Sequence, residues 1–291
     1  MVCLATWTQV SAPVALNDFL PHCFFSMGRR FGPLFSSLLL HCIEQKMNTA
    51  VKKSPYLSVL AKKRSWQPVP VAKGKVTEGA ESTLFKALAL RHLEIPVKEL
   101  LEEGMKRELP STPGIIETLR SNQEDEDRHL DALNYVADAH GTNARDEKEV
   151  MNILKAWNEH PAHPILKAGI MERSIFFVAL PFFRQTGDVG MRTVSQDISR
   201  DERVHTVVNA MVSAELGEKE SQSLEKLCAA TAAWLFSDLG QSSNQWLDKD
   251  FWLRQSKALF WTGKAPEMAV SRNSRSVAFF ESPSTSLPMY S

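Results

Sequence analysis

The chain has 291 residues, 43% of them hydrophobic and 23% charged, enough to bury one large core or two modest ones. Its 34 basic and 34 acidic side chains cancel, which leaves no net charge to draw it to nucleic acid or to an anionic membrane. The four cysteines, Cys3, Cys23, Cys42 and Cys228, form neither a metal-type spacing nor a disulfide framework, so a reducing, cytoplasmic setting is expected.

Residues 1–46 read differently from the rest, with two acids (Asp18 and Glu44) and three of the four cysteines. The apolar run 31–43 is too short to span a bilayer. Arg29 and Arg30 precede it, but no clear small-residue cleavage site marks a targeting peptide. This extension is expected to lie outside the fold, and Met47 is an alternative starting methionine. Residues 47–262 are expected to form the folded domain, and 263–291, rich in Ser, Pro and Arg, a flexible tail.

From residue 54 the pattern predicts helix after helix. A short amphipathic piece covers 56–66, and a proline-containing linker covers 67–75. The next helix opens near 77–80, meets a break or kink at Ile95-Pro96 and resumes over 97–108. Proline and glycine between 109 and 114 form a turn. A long helix follows from about Ile115 to His140, with Gly141 just past its end. A shorter one over 146–158 closes at Pro161 and Pro164. Residues 165–185 are almost wholly apolar, as in a helix buried on all sides, and Glu172 is their single acid. Helices over 189–216 and 221–239, and a short one with Trp246 and Trp252, complete the series. No segment alternates with period two, so the fold class is all-α.

Two of these helices carry Glu-x-x-His. Glu126 and His129 fall in the apolar stripe Ile115, Leu119, Leu133, Val136; Glu202 and His205 fall in the stripe Val194, Ile198, Val208, Val212. A carboxylate and an imidazole three residues apart share one helix face, and both heads can reach one point. Inside an apolar stripe a carboxylate is costly unless it is paired, protonated or bound to metal. Two such helices, with one glutamate from each of two more, make the ligand set of a di-iron or di-manganese carboxylate bundle. Glu172 supplies the third helix. The fourth acid belongs on the helix before Glu126, at the same level of the hairpin. Glu94 fits that level best, and Glu81, Glu99 and Glu102 are alternatives.

Ile198-x-Arg-Asp-Glu-x-x-His205 resembles the signature helix of ribonucleotide reductase small subunits and the related ligand-binding oxidases. Met171-Glu172-x-x-Ile-Phe-Phe is similar to the family's glutamate-then-aromatic helix, and the resemblance covers roughly residues 78–216. It implies a ferritin-like four-helix bundle with extra helices, in which Glu94, Glu126, His129, Glu172, Glu202 and His205 bind two metal ions, iron, manganese or one of each. It further implies that Asp201 orients a ligand histidine and that Phe176 shields the oxygen pocket. The implied partners are dioxygen, a second copy of the chain and a catalytic large subunit, with Tyr290 in the docking tail. One position departs from the family. Its radical-bearing tyrosine, one turn past the histidine, is Leu133 here, and Tyr135 lies two residues further round the helix. Three functions are therefore weighed: the oxidant-generating small subunit of ribonucleotide reductase, a stand-alone di-iron oxidase or oxygenase acting on an organic substrate, and an iron-storing ferritin-like protein. His92 and His140 are expected on helix surfaces, His160 and His163 in a loop, and Glu124–Asp127 mainly on a solvated face.

Overall fold

The computed structural model describes residues 54–268. The expectations for residues 1–46, for most of the tail and for Tyr290 lie outside the described residues. Helix covers 74% of the described residues and no strand occurs among them, so the chain is all-α.

Helix α1 (Pro55–Leu60) is short, opened by Ser54, whose hydroxyl accepts from Leu57 N and donates to Pro113 O. It ends well before Trp66, earlier than the sequence pattern suggests, and residues 61–80 cross the bundle as an irregular segment. Helix α2 (Glu81–Ala89) passes through a 3₁₀ turn (Leu90–Leu93) into α3 (Glu94–Lys106). The break therefore comes before Glu94. Pro96 sits in the first turn of α3, where its missing N–H has no intrahelical partner to lose. Helix α4 (Ile115–His140) is followed by Gly141, whose N–H reaches Ala137 O at positive φ. Helix α5 (Ala144–Glu159) is opened by Asn143.

The apolar stretch is not one regular helix. It forms α6 (Pro164–Met171), a π turn (Glu172–Phe176) and α7 (Phe177–Thr186), with Pro181 inside α7. Helix α8 (Val189–Leu216) starts at the N-cap Asp188, whose carboxylate accepts from Met191 N, and ends at Gly217. Helices α9 (Gln222–Leu235) and α10 (Lys249–Thr262) follow, the latter capped by Asp248.

Helix α3 packs on α4 and α6, α4 on α8, and α8 on α6 and α7, so four rods close a ring. Helices α9 and α10 pack outside it, on the π turn and α7. Their junction is an aromatic layer in which Phe236 stacks on Trp252 at 5.2 Å and Phe182 meets Trp252 edge-on at 5.5 Å. On the other flank, fully buried Trp157 of α5 donates its indole N–H to Thr231 of α9 at 3.1 Å. No helix among the described residues is long and apolar enough to cross a membrane.

Replacing Trp157 by alanine empties a fully buried indole site and orphans nothing charged. It is expected to cost about 3–5 kcal/mol, read as a lower urea midpoint at unchanged slope.

Candidate metal centre

The inner face of the ring is polar. Glu94 from the start of α3, Glu126 and His129 from α4, Glu172 from the π turn, and Glu202 and His205 from α8 are all buried, each 0–1% exposed. The i, i+3 spacing puts each glutamate beside the histidine of its own helix, and the ring brings the two motifs face to face. The imidazoles stack with centroids 5.6 Å apart.

The carboxylates divide between the imidazoles in an ordered way. His129 Nδ1 lies 3.2 Å from Glu202 Oε1, 3.6 Å from Glu126 Oε2 and 3.8 Å from Glu94 Oε2. His205 Nδ1 lies 3.1 Å from Glu126 Oε1, 3.6 Å from Glu202 Oε2 and 3.7 Å from Glu172 Oε1. Glu126 and Glu202 thus offer one oxygen to each half, while Glu94 and Glu172 each serve one. Glu94, Glu126, His129 and Glu202 have ligand atoms within 4.8 Å of one another, and so do Glu126, Glu172 and His205.

These atoms do not satisfy one another. Both oxygens of Glu126 and of Glu202, Glu94 Oε2, Glu172 Oε1 and both Nδ1 atoms are buried without a hydrogen-bond partner. Orphaned buried polar atoms are rare because each carries an unrecovered desolvation cost. Here they converge on one spot, and oxygen with imidazole nitrogen is the donor chemistry of iron and manganese. The residues fit a metal centre.

The outer nitrogens are held by a crossed pair of aspartates. His129 Nε2 faces Asp201 Oδ2 at 3.5 Å, and His205 Nε2 faces Asp125 Oδ2 at 2.9 Å. Each aspartate immediately precedes the glutamate of the opposite motif. Both carboxylates are already approached by donors. Asp201 accepts the indole N–H of Trp66 at 2.5 Å, and Asp125 meets Lys63 and Arg128. As acceptors they place the imidazole protons on Nε2, which leaves the Nδ1 lone pairs turned inward. Asn209 of α8 donates to Glu172 Oε2 at 2.8 Å, fixing the outer oxygen of that glutamate. Gly169 lets Asn209 come this close, because a Cβ there would stand 2.9 Å from Asn209 Cβ.

Burial sets the electrostatics. Desolvation, with the neighbouring carboxylates, pushes Glu94 and Glu172 well above the usual carboxylate range. Desolvation also opposes charge on Glu126, yet the His205 and His129 imidazoles hold it below its ordinary value. Desolvation would lower both histidines. Asp201 and the surrounding glutamates instead raise His129 well above normal, and Glu126 and Glu202 raise His205 to about 9.

Among the alternatives for the α3 ligand, Glu81, Glu99 and Glu102 are exposed, and only Glu94 reaches the cluster. Phe176 is buried at the end of the π turn, Leu133 is buried one turn past His129, and Tyr135 is half-buried. Asp125 departs from the solvated-face reading of Glu124–Asp127, because α4 turns it into the bundle. Asp125, Trp66, Lys63 and Asn209 were not legible as site residues. A signal for Asp125 existed in the doubled Asp-Glu-x-x-His, at 125–129 and 201–205. His140 is not on the helix surface either, since Asp188 binds it at 2.8 Å, and His92 pairs with Glu147.

The sign of the pH effect follows from these shifts. Raised folded-state values for His205, His129, Glu94 and Glu172 stabilise the metal-free chain at low pH. The His205 part is complete below its ordinary 6.5 and lost as pH rises through about 9. The metal-free melting temperature should therefore fall over that window, and added Mn²⁺ should reverse the fall while releasing protons. Asp125→Asn should weaken Mn²⁺ binding roughly 10–100-fold by titration, since the carboxylate partner orients the ligand imidazole. No protein-family model, curated protein or solved structure matches the chain, so its function is argued from these side chains.

Proposed function

We propose that the chain is the oxidant-generating small subunit of a ribonucleotide reductase, built as a ferritin-like bundle around two metal ions. The observation that carries the metal part is the inward convergence of eight orphaned buried donor atoms from four helices. Charge supports two ions. Four glutamates with two neutral imidazoles balance two divalent cations, whereas the same set without cations has to be neutralised by protons. Glu94 and His129 would hold one ion, Glu172 and His205 the other, and Glu126 and Glu202 both. Iron, manganese or a mixed pair would suit the ligands. Such a pair, when bound, supplies the reduction of dioxygen and a stored oxidising equivalent.

The protein's own contribution is orientation and proton placement. Asp201 and Asp125 fix the imidazole tautomers, and Asn209 fixes Glu172. Leu133 cannot carry a radical, so the family's usual store is missing at that position. Trp66 is the oxidisable side chain that is hydrogen-bonded in line with the centre. It runs through Asp201 to His129, and Asp201 is placed to take its indole proton. That line supports export of the oxidising equivalent to a catalytic large subunit, with the chain acting as a homodimer and the tail near Tyr290 as its dock. A stand-alone oxidase acting on an organic substrate is the second reading, and the leucine at 133 favours it by leaving no phenol beside the centre.

Reconstitution with iron and manganese under air should give two metal equivalents per chain, and less than one would defeat the dinuclear reading. Glu126→Ala should abolish loading, while alanine at His163, the half-buried N-cap of α6 outside the centre, should not alter it. With a catalytic reductase subunit, a nucleoside diphosphate and reductant, deoxynucleotide should form, and Trp66→Phe should stop it at unchanged metal content. Substrate-dependent oxygen uptake with no response to any catalytic subunit would replace this reading with the second.

A further inference from the structure

The two long helices differ in what they turn to solvent. The exposed positions of α4 are Glu117, Arg120, Glu124, Asp127, Asp131 and Asp138, all charged, as on an ordinary solvated face. The outer face of α8 is different. Between Arg203 and Glu215 its exposed positions are Val207, Ala210 and Ala214, with Val204 and Met211 half-buried beside them. Val207 is 43% exposed. Residues 204–214 contain no Lys, Arg, Asp or Glu. These apolar positions recur every three or four residues, which keeps them on one face of the helix and is the spacing of a helix–helix seam. The same turns hold Glu202, His205 and Asn209 buried on the opposite side, so the apolar row is no part of the bundle's own interior.

The ends of this row carry opposite charges. Arg200 and Arg203 precede it, and Glu215 and Glu218 follow it. The Arg203 guanidinium is exposed and has no hydrogen bond or ion pair among the described residues. The Glu215 carboxylate is held in place from its own chain, since Tyr56 donates to one oxygen at 2.7 Å and Thr112 to the other at 2.7 Å. A carboxylate already fixed costs an incoming cation less ordering.

This order of residues is complementary to itself. A second α8 laid antiparallel about a two-fold axis beside Ala210 brings Arg203 opposite Glu215, Val204 opposite Ala214 and Val207 opposite Met211. The same register brings Arg200 opposite Glu218, and by the two-fold symmetry every pairing occurs twice. Ala210 at the axis has only a methyl group, which lets the two helices approach closely. A parallel pairing would instead set arginine against arginine and glutamate against glutamate, at a cost of several kcal/mol.

We propose that this face of α8 is the contact between two copies of the chain, packed antiparallel about a two-fold axis at Ala210. The proposal deepens the homodimer of the reading above and rests on it for the existence of a pair, whereas the place of contact comes from α8 itself. The helix that turns Glu202 and His205 inward is then braced on its outer side by the other copy.

Sedimentation of the full chain over a concentration series tests this. The wild type should form a dimer. Val207→Glu and Arg203→Glu, both at exposed positions that leave helix content and melting temperature intact, should each raise the dimer dissociation constant roughly tenfold or more through like-charge repulsion. Ala210→Cys should give a disulfide-linked dimer on mild oxidation beyond the wild-type level, and Asp131→Cys on the charged face of α4 should not. A wild type that stays monomeric throughout would overturn both the homodimer and this surface. A dimer indifferent to Val207→Glu and Arg203→Glu, or no cross-link through position 210, would overturn the surface alone, and deoxynucleotide formation reports on the reductase reading separately.

Discussion

The structure turns on one electrostatic constraint. Four carboxylates and two imidazoles share a volume from which water is excluded, and protein donors answer only their outer atoms. In a low-dielectric interior, like charges that close cannot all persist, so the cluster has to be compensated from within. The residues around it are arranged to make that compensation local. Each histidine is pinned from behind by an aspartate, and each aspartate is pinned in turn by an indole, an ammonium or a guanidinium. The scaffold spends its polar interactions on orientation and leaves the inner faces bare.

That arrangement explains why the fold is built as it is. Glu-x-x-His works only on a regular helix, and α4 and α8 are the two long uninterrupted rods. The single glutamates come from less regular places. Glu94 opens α3 directly after a 3₁₀ turn, and Glu172 opens the π turn. Short 3₁₀ and π stretches within helices commonly mark functional positions, because they re-aim a side chain that regular geometry would send elsewhere.

Much of this was legible in the sequence because helical periodicity is a local property. Glu126, His129, Glu202 and His205 could be placed inward from their stripes alone, and Glu172 from being the lone acid in an apolar run. Choosing Glu94 over Glu81, Glu99 and Glu102 needed hairpin geometry, and the structure places Glu94 alone of these in the cluster. The crossed pairing of Asp125 with His205 was hidden for a different reason. It joins residues 80 apart, and no period along one helix reports which residue of another helix stands opposite. Trp66 was hidden more deeply still, because it lies in an irregular segment whose path is set by contacts and not by a repeat. The 3₁₀ and π turns were also missed, since both break the 3.6 period by which the helices were read.

The π turn has one more consequence, and it concerns mechanical isolation. It inserts an extra residue into a rod that is buried all round, so the side chains after it are rotated by roughly a quarter turn or more relative to an unbroken helix. Upstream, the rod presents Glu172 to the polar centre. Downstream, it presents Phe182 to the aromatic layer of Phe236 and Trp252. One continuous segment is thereby the shared wall of two compartments, one polar and one dry. Close packing transmits displacement, so the outer layer of α9 and α10 acts as a backstop that keeps the glutamate's backbone from yielding outward.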